Sequence, residues 1–175
     1  GRRYENQRPL CHLLNKLRRL NKELARRKKF GKNWHKTKSK LGRLHYRITC
    51  LRHDLLHKLT TDIARTSGLV AVEDLYIKGL VRNRCLSRSF SDAALGKLLN
   101  LLESKVPQAG GTLIKVGRFY PSSQLCHRCG SRRADLTLGE RVYVCGNSHC
   151  GYSGDRDENA SYNILQEALR LVGQS

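Results

Sequence analysis

The sequence predicts an α/β protein with a long basic helical hairpin, a strand–helix–strand core and an inserted zinc ribbon. Three observations predict this fold. Apolar residues recur at helical spacing in the first 67 residues, two short apolar runs flank a further helical segment, and four of the seven cysteines lie within 25 residues. The chain of 175 residues has the length of one domain with an appendage. We therefore divide it into residues 1–67 (hairpin), 68–120 (core), 121–153 (zinc ribbon) and 154–175 (a final motif and helix).

The hairpin is predicted from the spacing of its apolar residues. They recur every three or four positions over residues 10–24, and after a break at Gly31 the same pattern runs over residues 41–63. This spacing places the apolar side chains on one face of a helix. Gly68 follows the second run and is a typical helix stop. Two helices joined near Gly31 are therefore expected.

The charge of the hairpin predicts a polyanionic partner. Twenty of the 34 lysines and arginines, but only four of the 14 acids, lie in residues 1–65, which therefore carry +16 of the net charge of +20. Nucleic acid is the first candidate partner. A solvated, coiled-coil-like arm is the alternative, although such helices usually alternate Glu with Lys. The candidate contacts are Arg18, Arg19, Lys22, Arg26, Arg27, Lys28, Lys29, Lys32, Lys36 and Lys40.

The core is predicted from a change of period after Gly68. Residues 69–72 form a short apolar run, typical of a strand that is buried on both faces, and residues 112–116 read as a second strand. Between them Ser91 and Asp92 can cap a helix that Pro107 and the following glycines end. A strand, a helix and a strand in this order predict two parallel strands. The expected inward residues of the helix are Leu95, Leu98, Leu99, Leu102 and Val106.

The cysteines at 126, 129, 145 and 150 form two pairs, each followed by glycine. Two thiolates on each of two tight turns can occupy the four corners of a tetrahedral, structural zinc site, with residues 141–144 as a strand between the turns. The second pair encloses four residues, so His149 is an alternative ligand. Two surface disulfides are a further alternative, although the chain shows no secretory signal. The scattered Cys11, Cys50 and Cys85 are expected in or near a core.

Two carboxylate positions are candidates for catalytic metal binding. Glu73 ends the first apolar run, where open α/β sheets place functional residues, although most such glutamates are only solvated. The second position is the acidic run at 155–158, before a last helix whose expected inward residues are Ile164, Leu165, Ala168 and Leu171. Helix capping explains this run equally well and needs only one of its acids.

Four motifs together resemble the TnpB (OrfB-type) family of transposon-encoded, RNA-guided DNA endonucleases, which are relatives of the type V CRISPR effectors. The resemblance covers nearly the whole chain, and the motifs occur in the family's order. They are Gly31-Lys32-Asn33-Trp34; Leu69-Val70-Ala71-Val72-Glu73-Asp74-Leu75; Ser122-Ser123-Gln124 before Cys126-x-x-Cys129-Gly130; and Cys150-Gly151 before Asp155-Arg156-Asp157-x-Asn159-Ala160-x-x-Asn163-Ile164-Leu165.

The resemblance implies a RuvC-like nuclease of RNase H fold that binds two Mg²⁺ ions through three carboxylates. Glu73 matches the second of them and Asp157 the third, whereas Asp74 and Asp155 are not expected to be ligands. The first, an Asp on an upstream strand, has no match in residues 1–8, where Glu5 is the only acid. Because the chain also lacks methionine, we expect it to be a C-terminal fragment or an N-terminally processed chain, and inactive by itself.

The leading functional hypothesis is therefore the C-terminal nuclease portion of an RNA-guided DNA endonuclease, a transposase accessory that hydrolyses DNA with two Mg²⁺ ions and keeps a structural Zn²⁺. The alternative is a truncated, inactive, nucleic-acid-binding zinc-ribbon protein. A zinc-ribbon transcription factor would explain the cysteines but not the motif around Asp157. The expected partners are DNA and guide RNA, with no membrane and no small-molecule substrate. The expected location is the prokaryotic cytoplasm, in association with the nucleoid.

Overall fold

A computed structural model describes residues 9–76, 94–137 and 139–173, with side chains from residue 13 onward. The chain divides into two compact units. Among the described residues, the first unit contains three helices, of which the first two are rich in basic residues. The second contains two pairs of strands and a fourth helix, and its residues come from two separate stretches of the chain.

The first unit is built on the predicted pair of helices. Helix α1 spans Pro9–Arg26 and α2 spans Lys32–Thr66, a helix of 35 residues. The two pack together through buried Leu20, Leu44 and Ile48, and partly buried leucines at 13, 17 and 41 surround this cluster. The apolar spacing therefore predicted both helices. Leu51, which fits the same spacing, is nevertheless exposed.

A polar contact fixes how α1 and α2 are aligned along their axes. The Thr37 hydroxyl donates a 2.9 Å hydrogen bond to the Glu23 carboxylate, which also pairs with Arg27 at 3.2 Å. The hydrogen bond from Thr37 lowers the pKa of Glu23 the most, and the one from Arg27 lowers it further. Because Thr37 is buried, its hydroxyl requires a partner. Sliding one helix along the other would remove that partner.

The turn between α1 and α2 places a phenylalanine in an unfavourable backbone conformation. Phe30 has φ of 64°, in the left-handed region, which costs an L-residue about 1–2 kcal/mol. The neighbouring Gly31 is needed because it lacks a side chain, not because of its φ angle. A Cβ atom at Gly31 would lie 3.2 Å from the carbonyl oxygen of Lys28, which also accepts a 3.1 Å hydrogen bond from the Gly31 N–H.

Helix α3, Leu95–Gln108, packs on α2 with Leu102 and Val106 buried. The Lys105 ammonium donates to the carbonyl oxygen of His57 at 2.8 Å and to the Thr61 hydroxyl at 2.6 Å. Pro107 lies inside the last turn of α3 and does not end the helix there. The predicted cap at Ser91 and Asp92 lies outside the described residues.

The second unit contains the predicted parallel strands. Strand β1 (Leu69–Glu73) pairs with β2 (Thr112–Val116) from Leu69↔Thr112 to Glu73↔Val116. The last helix, α4 (Arg156–Gly173), packs against both strands. The expectation that β1 is buried on both faces is wrong, because all of its residues are only half-buried. Among the described strands β2 is its single partner, so less of its surface is covered than in a central strand of a larger sheet.

An antiparallel pair leads into the last helix. Strand β3 (Val142–Val144) pairs with β4 (Ser153–Asp155), and α4 spans Arg156–Gly173. On α4, Ala168 is buried as expected, but Leu165 is exposed. The buried face of α4 instead includes Asn159 and Asn163. No described helix is both long and apolar enough to span a lipid bilayer.

The leucine pattern of α2 generates a paired prediction. Leu44→Ala removes a side chain that is 5% exposed, and we expect a loss of about 2–5 kcal/mol in the free energy of unfolding of the helical unit. Leu51→Ala, the matched control at 44% exposure, should cost less than about 1 kcal/mol. Urea unfolding followed by fluorescence of Trp34, the sole tryptophan, measures both. Equal losses would contradict this packing.

Candidate functional site

Four cysteine thiols converge in the second unit. The sulfur atoms of Cys126, Cys129, Cys145 and Cys150 all lie within 4.8 Å of one another. Cys126 and Cys150 are 3.8 Å apart and Cys129 and Cys145 are 3.5 Å apart. Tetrahedral zinc with Zn–S bonds near 2.3 Å requires sulfur separations of about 3.8 Å, whereas a disulfide requires about 2 Å. The four cysteines could therefore hold a metal such as zinc.

The glycines after each cysteine pair allow the two turns to close around the sulfurs. Gly130 has φ of 72° and Gly151 has φ of 61°, a conformation that glycine adopts without strain. The Gly130 N–H donates to the carbonyl oxygen of Cys126 at 2.8 Å. In the longer second turn, the Cys150 N–H donates to the carbonyl oxygen of Asn147 at 3.0 Å. The two turns thus have related backbones despite their different lengths.

His149, the alternative ligand, is not among the residues that converge. Its ring nitrogen Nδ1 lies 3.3 Å from the Ser148 hydroxyl, and its side chain is exposed. The geometry therefore favours four sulfurs over three sulfurs and an imidazole. Among the other cysteines, Cys50 is exposed, which contradicts the expectation of a core position. The side chains of Cys11 and Cys85 lie outside the described part of the chain.

The four thiols do not ionise equally. Hydrogen bonds from the Ser131 side chain and then its backbone lower the pKa of Cys129 to about 6. The Asn147 backbone lowers the pKa of Cys145, but burial and the neighbouring thiols outweigh it and raise that pKa to about 12. One thiolate therefore forms readily near neutral pH. A cation among the sulfur atoms would favour ionisation of Cys145 as well, because metal ions bind the thiolate form.

Two buried asparagines on α4 hold the first cysteine turn. The Asn159 amide donates to the carbonyl oxygen of Leu125 at 2.6 Å, and its oxygen accepts the His127 N–H at 3.0 Å and the His127 ring N–H at 3.0 Å. The Asn163 amide donates to the carbonyl oxygens of Ser122 at 2.8 Å and Leu125 at 2.7 Å. The two side chains are one helical turn apart and together satisfy a backbone segment that would otherwise be buried without partners.

Glu73 is tied to the same segment. Its carboxylate, at the C-terminal end of β1, accepts a 2.6 Å hydrogen bond from the Ser122 hydroxyl. Ser122 is buried, and its carbonyl oxygen accepts the amide of Asn163. Ser122 therefore connects the strand that carries Glu73 to the helix that Asp157 opens. Ser122 begins the motif that precedes the first cysteine pair, but neither composition nor periodicity could reveal its contact with Glu73.

The acidic run before α4 divides into two roles. The Asp155 carboxylate accepts the N–H groups of Asp157 at 2.9 Å and of Glu158 at 3.0 Å, and so caps the helix. The Asp157 side chain is 76% exposed, and its ion pairs with Arg141 and Arg156 are long, at 3.9 and 3.8 Å. The capping alternative thus applies to Asp155. The Asp157 carboxylate is not used by the helix and faces solvent.

All ten predicted nucleic-acid contacts on the hairpin are exposed. Five of them, with Asn15 and Glu23, line an open groove of about 660 Å³ along α1. A second groove of about 580 Å³ lies between α1 and α2. It adds three basic residues that we did not predict, because they flank the apolar positions and do not lie opposite them. These are Lys16, Arg43 and Arg47.

Comparison with known proteins finds family models and relatives that match most of the chain. The family model "Probable transposase" (OrfB_IS605) matches residues 1–84, and the model "Cas12f1-like, TNB domain" matches residues 96–164. A Streptomyces pristinaespiralis protein with the name "Putative RNA-guided DNA endonuclease" is 40% identical over 88% of the chain. InsQ of Escherichia coli K12, which carries the same name, is 32% identical over 86% of it.

A solved structure shares the fold. A chain in the cryo-EM structure of a Cas12f1–sgRNA–target DNA complex aligns with a TM-score of 0.59 and 21% sequence identity, over 89% of this chain and 41% of that one. The present chain spans 38% of the length of the Streptomyces relative and 40% of InsQ. The residues above therefore correspond to a part of each longer relative.

The sulfur geometry generates a prediction about metal content. The purified chain should contain about one zinc per molecule, the usual stoichiometry of a four-coordinate site. Cys126→Ser and Cys150→Ser should each lower the zinc content severely and destabilise the second unit, whereas Cys50→Ser, the matched control, should change neither. His149→Ala should also leave zinc bound. Elemental analysis after gel filtration measures all four variants, and zinc loss in His149→Ala would reverse the choice of ligands.

Proposed function

The chain belongs to the TnpB (OrfB-type) family, and from this membership we propose that it supplies nuclease and zinc-ribbon elements of an RNA-guided DNA endonuclease. Two of its relatives carry that activity in their names, and a structural neighbour was solved with guide RNA and target DNA. Because the chain spans about two-fifths of those proteins, the activity of the whole protein is itself part of the proposal.

One observation carries the proposal, namely the division of roles between Asp155 and Asp157. A helix N-terminus needs a single capping carboxylate, and Asp155 provides it. Asp157, in the position that matches the family's third carboxylate, is exposed. Because its ion pairs with Arg141 and Arg156 are long, the exposed carboxylate could exchange them for a hard cation. Such cations bind carboxylate oxygens in preference to nitrogen or sulfur.

The proposed reaction is hydrolysis of a DNA phosphodiester. Two Mg²⁺ ions would activate the attacking water and stabilise the leaving oxygen. Within a RuvC-like fold of the RNase H type, Glu73 and Asp157 would hold these ions together with a third carboxylate that the described residues do not provide. Ser122 would orient the Glu73 carboxylate through the hydrogen bond that it donates. A carboxylate held on one oxygen keeps its other oxygen available to a cation.

We also propose that the cysteine cluster is a structural zinc site with no catalytic role. Four protein ligands close the coordination sphere, which leaves no position for a reacting water. The turn that carries Cys126 is the segment held by Asn159 and Asn163, and it is continuous with Ser122. Metal binding at the cysteines would therefore stabilise the segment that contacts Glu73.

The basic hairpin is the proposed contact surface for DNA and guide RNA. Six of its ten exposed lysines and arginines line two open grooves, and the first unit carries most of the net positive charge of the chain. Charges of this kind bind phosphates without reading sequence. Arg19 lines both grooves. The hairpin is thus proposed to hold nucleic acid while base pairing with the guide supplies specificity, as it does in RNA-guided nucleases generally.

A second candidate function is a nucleic-acid-binding zinc-ribbon protein that does not cleave. Among the described residues, the cysteines are the only group in which three or more potential metal ligands converge. Glu73 and Asp157 do not form such a group with a third acid in that part of the chain. This observation favours a chain that, by itself, binds nucleic acid without hydrolysing it.

The first functional prediction concerns salt. Binding of this chain to duplex DNA should weaken steeply with ionic strength, because each cation at a phosphate adds about 0.9 to the slope of log affinity against log salt concentration. Replacing Arg18, Arg19, Arg26 and Arg27 with Gln should lower the slope by up to about 3.6. Fluorescence anisotropy of labelled DNA measures this. Replacing Lys58, Arg65 and Lys97, basic residues away from the two grooves, is the control and should have a smaller effect per charge.

The second functional prediction concerns cleavage. The chain alone should not cut DNA with Mg²⁺ or Mn²⁺, because two ions need more carboxylates than Glu73 and Asp157 supply. A chimera in which this chain replaces the matching segment of the Streptomyces relative, with that protein's guide RNA, should cut. Glu73→Gln or Asp157→Asn should reduce cutting to background and leave DNA binding intact.

Asp155→Asn is the matched control for Asp157→Asn in this chimera. It removes the same charge two residues away but retains the helix cap, because Asn caps helices about as well as Asp. Cutting should therefore persist. If Asp155→Asn abolished cleavage and Asp157→Asn did not, the assignment of the two acids would be reversed. Metal-dependent cutting by the 175-residue chain itself would show that another of its acids completes the site.

A further inference from the structure

The turn of the helical hairpin combines exposed aromatic rings with an unbroken run of positive charge. Residues 26–40 contain eight lysines and arginines and no acid. Within this run lie three rings, those of Phe30, Trp34 and His35. We call these three residues, with Lys38, the aromatic tip. No other feature of the proposed nuclease accounts for them, since neither the metal ligands nor the carboxylates lie in this unit.

The rings of the aromatic tip touch one another, and Phe30 and His35 are exposed whereas Trp34 is half-buried. The centroids of Phe30 and Trp34 are 5.4 Å apart with an interplanar angle of 50°, and those of Trp34 and His35 are 5.0 Å apart at 89°. The Lys38 ammonium lies 4.8 Å from the Trp34 ring centroid. Phe30 is 76% exposed. Packing of the hairpin core therefore does not explain why this side chain is aromatic.

The backbone of Phe30 supports a role beyond packing. Its positive φ of 64° suits glycine, and glycine at this position would relieve the strain at little cost in buried area. Residues held in such conformations concentrate at ligand sites, where the strain holds a side chain in position. At Phe30 this strained backbone carries a large ring that is exposed to solvent at the end of a basic hairpin.

We propose that Phe30 and Trp34 form a stacking site for an unpaired nucleobase, with the surrounding cations holding the phosphates of the same single strand. The inference rests on the proposed binding of nucleic acid by the hairpin and specifies one part of it. Every base has a π face, so such a site tolerates any sequence. Bases within a duplex are stacked on both faces, so the site discriminates single strands from duplexes.

The flanking charge favours this occupant over an apolar protein surface. Eight cations within 15 residues would be buried without partners under an apolar surface. A single strand instead presents a phosphate and a base at each nucleotide. Basic grooves with interleaved aromatic side chains are the usual arrangement of proteins that bind single strands.

Trp34 supplies a direct test because it is the only tryptophan in the chain. Its fluorescence is measured while the 175-residue chain is titrated with single-stranded oligo(dT) or oligo(U) of about 16 nucleotides, a length that covers the usual binding sites. A blunt duplex of the same length is the comparison. Anisotropy of labelled oligonucleotide gives the fraction bound in parallel. We expect both forms to bind at low salt, with strong quenching by the single strands and little by the duplex at equal saturation.

Variants at Phe30 separate stacking from folding. Phe30→Gly removes the ring and relieves the backbone, so the hairpin should remain folded by circular dichroism and be at least as stable. It should nevertheless lose about 5- to 150-fold in affinity for single strands, the effect typical of one stacked base. Duplex affinity should change little. Phe30→Tyr should retain the preference for single strands, as should Tyr46→Ala, which removes an exposed ring elsewhere on the hairpin.

The outcomes distinguish this inference from the proposed function. Salt-dependent binding of both forms without selective quenching, or with unchanged affinity in Phe30→Gly, would refute the stacking site and leave electrostatic binding intact. Equal losses for single strand and duplex in Phe30→Gly would also refute it. Absence of salt-dependent binding to any of the three oligonucleotides would refute both the stacking site and the proposed role of the hairpin.

Discussion

The hydrogen bonds between α4 and the first cysteine turn are the constraint on which the second unit depends. Two buried amides, those of Asn159 and Asn163, bind the carbonyl oxygens of Ser122 and Leu125 and the N–H group of His127. An apolar helix face could cover the same area but would leave several backbone groups buried without partners, each at a cost of about 1–3 kcal/mol. The unit is therefore organised by a polar interface, and the position of α4 is specified more narrowly than by apolar packing.

This constraint joins the metal centre to the carboxylates. The segment that α4 holds begins at Ser122, whose hydroxyl binds Glu73, and includes Cys126. The same helix opens with Asp155 as its cap and Asp157 as its exposed acid. A displacement of the turn would therefore move the partner of Glu73. Although the proposed zinc site would leave no position for chemistry, the cysteine turn that forms it is coupled to the orientation of a proposed catalytic group.

The sequence predicted the helices and strands more accurately than the burial and contacts of their side chains. The helices of the hairpin, the two parallel strands and the convergence of four cysteines follow from periodicity and spacing, which are local properties. Three statements about burial failed, and one of them was the core position expected for Cys50, which is exposed. Leu165 was expected inside, although the buried face of α4 is occupied by asparagines, and β1 was expected to be fully covered, although only half of its surface is. The contact of Ser122 with Glu73 joins residues 49 positions apart, and no local pattern encodes such a pair.

The chain order of the two units bears on how the protein can fold. Strand β1 precedes α3, which belongs to the helical unit, and its partner β2 follows α3. The second unit is therefore discontinuous, and a single cut could not release it as an intact piece. During synthesis β1 emerges long before β2 and the cysteine turns, so it cannot pair with β2 until α3 has been made. Pairing across such a separation is entropically slow, whereas the helices and the cysteine turns close locally. The parallel strand pair is thus the step expected to complete the native structure.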